Sequence, residues 1–420
     1  MAIRCAALVA ALFALALIAS PPSTAGSTNH ASPMVYLLYF RAQDDPLDDA
    51  LALAFERGLE DVRRWYSQQV GRTFRRSALV EVVGQETVAQ YCARLACQPT
   101  SDSAPLFRAL VDELSQRGHV NRADPDSIYV IAVQTYELSS TMGDPGGAWY
   151  TGEGGGVATL GRRELEDIAR PCQGDCFARN TALGMLAHEL GHALNLPHPH
   201  EDLYSQGRDP CDGHCSQTIM WVYSKYPDVS LLDTPEHPEM EALRGSPFFG
   251  LKTEAVDLQL GWNLVSLPLR PQPAVPLSVL SALEEDYDVV YGWNAEEESW
   301  LSYSPQHSGT LDRLEESMGF WVHAKTAKTF LVVGEPVGPV QIPLVQGWNL
   351  IGYPSQRSLP PQEALDSVKG SYDVVYGWNP SDGGAWLTYL PGLSHGTLKE
   401  MSPGHAYWIH ATRESVLTID

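Results

Sequence analysis

The sequence predicts an α/β domain followed by two tandem all-β modules. Three observations carry this expectation. Between residues 33 and 250 short apolar runs alternate with longer segments whose apolar residues recur at helical spacing, as strands and helices packed in layers do. Beyond about Leu258 the helical periodicity fades while proline and glycine rise. From there the chain repeats itself: Gly261-Trp-Asn-Leu-Val-Ser-Leu-Pro268 returns as Gly347-Trp-Asn-Leu-Ile-Gly-Tyr-Pro354, about 86 residues later.

The first element is not part of the fold. Arg4 opens a short basic region, an apolar run follows from about Ala6 to Ile18, and small residues lead to Ala25. This reads as a secretory signal peptide over residues 1–25, too short for a membrane span, so the mature chain is expected outside the cell. No later apolar run approaches membrane-spanning length.

The domain expected over 33–250 begins with a strand at Met34–Phe40, bounded by polar residues from Arg41 to Asp45. From Pro46 to Val70 the apolar residues Leu47, Leu51, Ala54, Phe55, Leu59 and Val62 fall on one helical face. Ala78–Val83 is a second strand, and 86–96 and 104–117 are helices. Ser127–Val133 is apolar throughout, the mark of a central strand buried on both faces. Thr234–Arg244 is a last helix. A mixed sheet with helices packed on it follows.

Removing Cys5 with the signal peptide leaves Cys92, Cys97, Cys172, Cys176, Cys211 and Cys215, an even number that reads as three disulfides in an exported chain. The alternative is a second metal site built from Cys172, Cys176, Cys211 and Cys215. The formal charge of −23 argues against nucleic acid or an anionic membrane as partner.

One eleven-residue stretch carries chemistry: His188-Glu-Leu-Gly-His192-Ala-Leu-Asn-Leu-Pro-His198. On a helix, positions i and i+4 share a face, so His188 and His192 aim at one point. Glu189 stands beside that point without being a ligand, suited to act as general base on a water. Pro197 cannot continue the helix, and Asn195 tolerates the left-handed conformation that ends one. The chain then offers a third imidazole at His198. Three nitrogen ligands with an open fourth position describe a catalytic zinc site. Nearby His200, Glu201, Asp202 and His214 are chemically acceptable ligands. A glutamate ligand from a later helix has no source between Asp212 and Tyr226.

This pattern resembles that of the metzincin zinc peptidases, His-Glu-x-x-His-x-x-Gly-x-x-His, with Asn195 where the family usually has glycine. The resemblance selects His198 as third ligand by its spacing, and it implies one catalytic zinc ion, Glu189 as catalytic base and a protein or peptide substrate. It implies a metzincin-like catalytic domain with a mixed sheet and a zinc helix. It also implies a methionine in a tight turn beneath the metal, for which Met220, 22 residues past His198, is the candidate. Tyr223 is a catalytic candidate toward the metal or the tetrahedral intermediate, although relatives place such a tyrosine two residues after the methionine and here it is three. Gly156, Val157 and Ala158 fall where the family has its substrate-binding edge strand; an ordinary edge strand with turn glycines is the alternative reading. A structural calcium ion has no support in the sequence.

The repeats delimit two modules, 256–337 and 340–420. Tyr287-Asp-Val-Val-Tyr-Gly-Trp-Asn294 recurs as Tyr372-Asp-Val-Val-Tyr-Gly-Trp-Asn379. The period is too long for solenoid units, and the short aromatic-rich strands suit sandwich or barrel modules. Trp262, Trp293, Trp300 and Trp321, repeated as Trp348, Trp378, Trp386 and Trp408, are read chiefly as the module cores. Sugar stacking is the alternative, with an extracellular polymer or surface ligand as partner. His307, His323, His395, His405 and His410 show no metal spacing. The expected function is a secreted zinc-dependent endopeptidase. Its rivals are a secreted adhesion protein acting through the repeats with a degenerate peptidase domain, and a narrow hydrolase of cell-wall or glycan-linked peptides.

Overall fold

The computed structural model describes residues 32–95, 97, 104–139, 146–150, 155–172, 174–199, 217–235, 237–283, 286–305, 309–393 and 396–420. The expected signal peptide and His200, Glu201, Asp202, Cys211, His214, Cys215, His307 and His395 lie outside these residues.

Strands β1 (Met34–Arg41), β2 (Arg76–Val83), β3 (Ser127–Val133), β4 (Gly146–Tyr150) and β5 (Gly156–Leu160) form one sheet in the order β2-β1-β3-β5-β4. The first four in that order run parallel and β4 is antiparallel to β5, so the sheet is mixed. β3 is buried at every position, which is why its sequence lacks alternation. The helices are α1 (Asp49–Val70), α2 (Val88–Leu95), α3 (Ala104–Gln116), α4 (Tyr136–Ser139), α5 (Arg162–Ala169), α6 (Phe177–Ala193) and α7 (Glu239–Gly245). Side chains alternate across the sheet. Leu37, Tyr39, Ile128 and Val130 pack against α1, α5 and α6 on one face. Leu38, Phe40, Ile131 and Val133 pack against α2 and α3 on the other.

The first helix starts three residues later than Pro46. The Asp48 carboxylate accepts from the Leu51 N–H at 3.2 Å, and this cap fixes the first turn. Cys92 is bonded to Cys97, and Cys172 to Cys176. The second pairing removes both thiolates from the alternative four-cysteine metal site.

Glu164, on α5, is a local weakness. It is 7 % exposed, and its Oε2 has no hydrogen-bond partner. Burial pushes its pKa from 4.5 up to about 7. A carboxyl whose folded-state value lies above its unfolded value destabilises the ionised protein. The penalty is absent below pH 4.5, grows as pH rises toward 7 and is constant above that. Glu164→Gln should therefore stabilise the chain at pH 8 by on the order of 2 kcal/mol and gain nothing at pH 4. Denaturant unfolding at both pH values checks this; an equal effect at each would contradict it.

The first module comprises β6 (Lys252–Leu258), β7 (Gly261–Val265), β8 (Leu269–Pro271), β9 (Tyr287–Asn294), β10 (Ser299–Tyr303), β11 (Phe320–Ala324) and β12 (Lys328–Pro336). They make a four-stranded sheet, β10-β9-β11-β7, and a three-stranded one, β6-β12-β8. The second comprises β13 (Val340–Leu344), β14 (Gly347–Gly352), β15 (Tyr372–Asn379), β16 (Ala385–Tyr389), β17 (Ala406–Ala411) and β18 (Ser415–Ile419). Its sheets are β14-β17-β15-β16 and β13-β18.

The recurring Gly-Trp-Asn has a local cause. Gly261 and Gly347 sit at φ of 91° and 106°, where a side chain is strained. The buried Asn263 and Asn349 amides then tie the preceding turns, each accepting from one backbone N–H and donating to two carbonyls.

The expectation that the tryptophans form the module cores fails. Each core lies between a module's two sheets and is mainly aliphatic, around Leu267, Val290, Val322 and Val332 in the first and Ile342, Val375, Ile409 and Leu417 in the second. Trp262, Trp300, Trp348 and Trp386 are instead exposed. The sheets bury one face only, and the indoles belong to the other.

Candidate metal centre

The centre begins with how α6 ends. Its last turn closes with Leu194 N–H on the Leu190 carbonyl at 2.9 Å. Asn195 follows at φ 69°, the left-handed conformation that its short polar side chain tolerates. Leu196 N–H then reaches back to the Gly191 carbonyl at 2.9 Å. This reversal, followed by Pro197, returns His198 to the helix face that carries His188 and His192.

The three imidazoles converge. Nε2 of His188 lies 3.1 Å from Nε2 of His192 and 3.1 Å from that of His198, and the last two are 3.0 Å apart. The opposite nitrogens are held by main chain. Nδ1 of His188 donates to the Ile219 carbonyl, and Nδ1 of His192 to the Leu196 carbonyl, each at 2.8 Å. A neutral imidazole that donates from Nδ1 has only a lone pair at Nε2. For His188 and His192 the short separations are therefore acceptor against acceptor, which a cation would relieve. Burial, followed by the neighbouring His192, lowers the His188 pKa to about 4, so this ring stays neutral and able to ligate. Among the described residues these three histidines are the one group placed to hold a metal ion. The donor set, all imidazole, suits zinc and the other nitrogen-seeking ions (copper, nickel, iron) and not calcium or magnesium.

Met220 packs against Gly191, between the two helix histidines. It is fully buried, in a tight turn closed by Trp221 and Val222 N–H groups on the Thr218 carbonyl at 3.1 and 2.9 Å. A Cβ added at Gly191 would strike its sulfur, so the Gly191 between the first two histidines is required by close approach. The turn is anchored from behind. Glu239 on α7 accepts from Thr218 Oγ1 at 2.7 Å and from Leu232 N–H at 2.8 Å. Burial raises the pKa of that carboxyl, and these two bonds offset only part of the rise. Tyr223 packs its ring 5.6 Å from that of His188, and Trp221 sets its edge 6.2 Å from His198. Glu189 is half-buried on the same helix.

Sequence reasoning missed Thr218, Trp221 and Glu239. None carries a spacing signal, because each reaches the centre through the turn and not through the helix. The edge strand was misplaced as well. Gly156, Val157 and Ala158 belong to β5, which is bonded to β3 on one side and β4 on the other. The edge is β4, one strand earlier, and α6 packs against both β4 and β5.

No family model matches the chain, and no curated protein matches it. Among solved structures, wild-type OgpA from Akkermansia muciniphila aligns over 92 % of this chain and 93 % of its own, at 14 % identity and a TM-score of 0.30. A second crystal form of it aligns over 93 % and 95 %, at 15 % and 0.31. Catalytically inactive OgpA in complex with an O-glycopeptide (glycodrosocin) substrate aligns over 93 % and 96 %, at 14 % and 0.30. Likenesses this low transfer no role to the residues of this chain.

Proposed function

We propose that the chain is an exported, zinc-dependent endopeptidase of metzincin type. The observation that carries the reading is the convergence of three Nε2 atoms within 3.0–3.1 Å of one another while the Nδ1 atoms of His188 and His192 are committed to carbonyls. His188, His192 and His198 would hold the ion. Bound there, zinc supplies polarisation of the scissile carbonyl and a water acidified toward neutral pH.

The rest is done by the chain itself. Glu189 takes a proton from the attacking water and delivers it to the leaving amine nitrogen, so the amine departs neutral. Ile219 and Leu196 carbonyls hold the imidazole tautomers, the part usually played by an outer shell of hydrogen bonds. Met220 sets the floor of the site. Tyr223, against His188, is the candidate donor to the oxyanion of the tetrahedral intermediate. An extended peptide would add to β4, whose outer side has no strand partner among the described residues. Two disulfides suit an oxidising, extracellular setting, and no helix among the described residues is long and apolar enough to cross a membrane.

The test is metal analysis with proteolysis on the full exported chain. The chain should carry one zinc per molecule and cleave unfolded casein. A chelator should stop cleavage and added zinc restore it, and His192→Ala should lose both metal and activity. Zinc at full occupancy with no cleavage of casein or of a peptide library would favour the rival reading, a binding protein with a degenerate peptidase domain.

A further inference from the structure

The two modules share one open basin of about 1070 Å³, lined by eight tryptophans and two tyrosines and by no acidic or basic side chain. Each module contributes half of these rings from equivalent positions. Trp300 stands opposite Trp293 across β10 and β9, and Trp386 opposite Trp378 across β16 and β15. The basin exists only because the modules dock. Trp293 Nε1 donates to the Trp348 carbonyl at 3.0 Å, and reciprocally Trp378 Nε1 donates to the Trp262 carbonyl at 2.8 Å. Trp408 of the second module packs edge-to-face on Trp293 and Trp300 of the first, and Trp321 of the first packs likewise on Trp378 and Trp386 of the second. Buried Leu264, Leu350 and Ala406 fill the centre between these clusters.

We infer that this basin binds a neutral saccharide chain. Trp262, Trp300, Trp348 and Trp386 expose 41, 52, 39 and 50 % of their surface, an aromatic area large enough to mark a binding site. The ligand must be uncharged to match an uncharged lining, and a net charge of −23 disfavours a polyanion. It must be amphipathic, because the basin opens to water. The C–H faces of pyranose rings stack on indoles while their hydroxyl edges remain hydrated. An aliphatic ligand would gain more from a closed aliphatic pocket, and none of the lining is aliphatic. The rings of each three-tryptophan cluster touch one another, at 5.1–5.7 Å between centroids, leaving no gap among them for a quaternary ammonium ion.

Each module also sets a polar group beside a stacking face. His323 packs on Trp262 at 4.8 Å and donates from Nδ1 to Asp288 at 2.7 Å. His410 does the same with Trp348 and Asp373, at 4.9 and 2.8 Å. The carboxylate holds the ring through Nδ1, so Nε2 is the atom offered to a sugar hydroxyl. Two equivalent platforms match a ligand whose own units repeat.

The full chain should be titrated with cellohexaose, chitohexaose and mannohexaose by calorimetry and tryptophan fluorescence, and depleted on insoluble cellulose and chitin. At least one of these should bind, with a change in indole emission and no sensitivity to chelator, so that the result stands apart from the peptidase reading. Trp300→Ala with Trp386→Ala, the two most exposed rings, should weaken binding about tenfold or more. Trp300→Tyr with Trp386→Tyr, which keeps a ring at each module contact, should hold the thermal midpoint near that of the parent and retain part of the binding. No binding to any of the five probes overturns the inference. So does binding that the double variant retains, binding that tetramethylammonium displaces, or self-association that buries the indoles in place of a ligand.

Discussion

Glu189→Gln should abolish peptide-bond cleavage while leaving zinc content and fold intact. The substitution keeps size and hydrogen-bonding capacity but removes the only function the mechanism asks of this side chain, to take a proton and give it back. Loss of a positioned general acid–base costs about 10²–10⁴ in rate. The proposed ligands are three histidines whose geometry is set by the turn at Asn195 and by the Ile219 and Leu196 carbonyls, with Met220 packed against Gly191. None of these contacts is made by the Glu189 carboxylate, so metal content should hold. The measurement is kcat on a quenched peptide at full zinc occupancy. KM should stay within a few-fold, since Glu189 acts on the water rather than on substrate binding. A second comparison uses His192→Ala. Groups that act as one unit lose activity non-additively, so the double variant should be no slower than the worse of the two singles. A Glu189→Gln enzyme within a few-fold of the parent would place the base elsewhere.

Much of this was legible in the chain, and the failures share a cause. β1, β2 and β3 were readable because a largely apolar run of strand length bounded by polar residues has few other uses. The helix pairing His188 with His192 was readable because i, i+4 spacing is a property of the helix itself, and Asn195 because few residues tolerate a positive φ. β4 was not. Its Gly-Gly-Ala-Trp-Tyr has two glycines, which weaken any strand signal, and only its pairing with β5 makes it a strand. The tryptophan faces were unreadable for a different reason. In Tyr287–Asn294 one face offers Val290 and Gly292 and the other Tyr291 and Trp293, so both are apolar. Alternation then says which residues share a face but not which face is covered. Thr218 and Glu239 look like ordinary polar residues until the turn brings them together beneath the histidines.

The largest effect on stability should come from a residue with no part in the chemistry. Glu60→Ala is expected to cost about 3–5 kcal/mol, the range for breaking a buried ion pair by removing one partner. Glu60, Arg63 and Arg76 are 2, 1 and 4 % exposed. Glu60 accepts from Arg63 at 2.8 and 3.1 Å and from Arg76 Nε at 2.8 Å. Burial alone would raise the Glu60 pKa, but the two guanidinium groups overcome it and hold it below the usual carboxylate range. Removing the carboxylate strands the buried Arg63 and leaves Arg76 with Glu56 alone, at 2.9 Å, as its carboxylate partner. Those cations also join the α/β domain to the first module. Arg63 donates to the Phe74 carbonyl and, at 2.8 Å, to the Gln272 carbonyl, while Arg76 reaches Ser278 Oγ. Urea unfolding should therefore show a lower midpoint for Glu60→Ala and, as the docking weakens, two transitions where the parent has one. The pH dependence has a definite sign. A carboxyl whose folded-state pKa is depressed stabilises above its unfolded value of 4.5 and loses that contribution as pH falls through the folded-state value. The gap between parent and variant should thus be widest at neutral pH and shrink on acidification. A gap under about 1 kcal/mol at pH 7 would mean that water and Glu56, and not Glu60, compensate the two arginines.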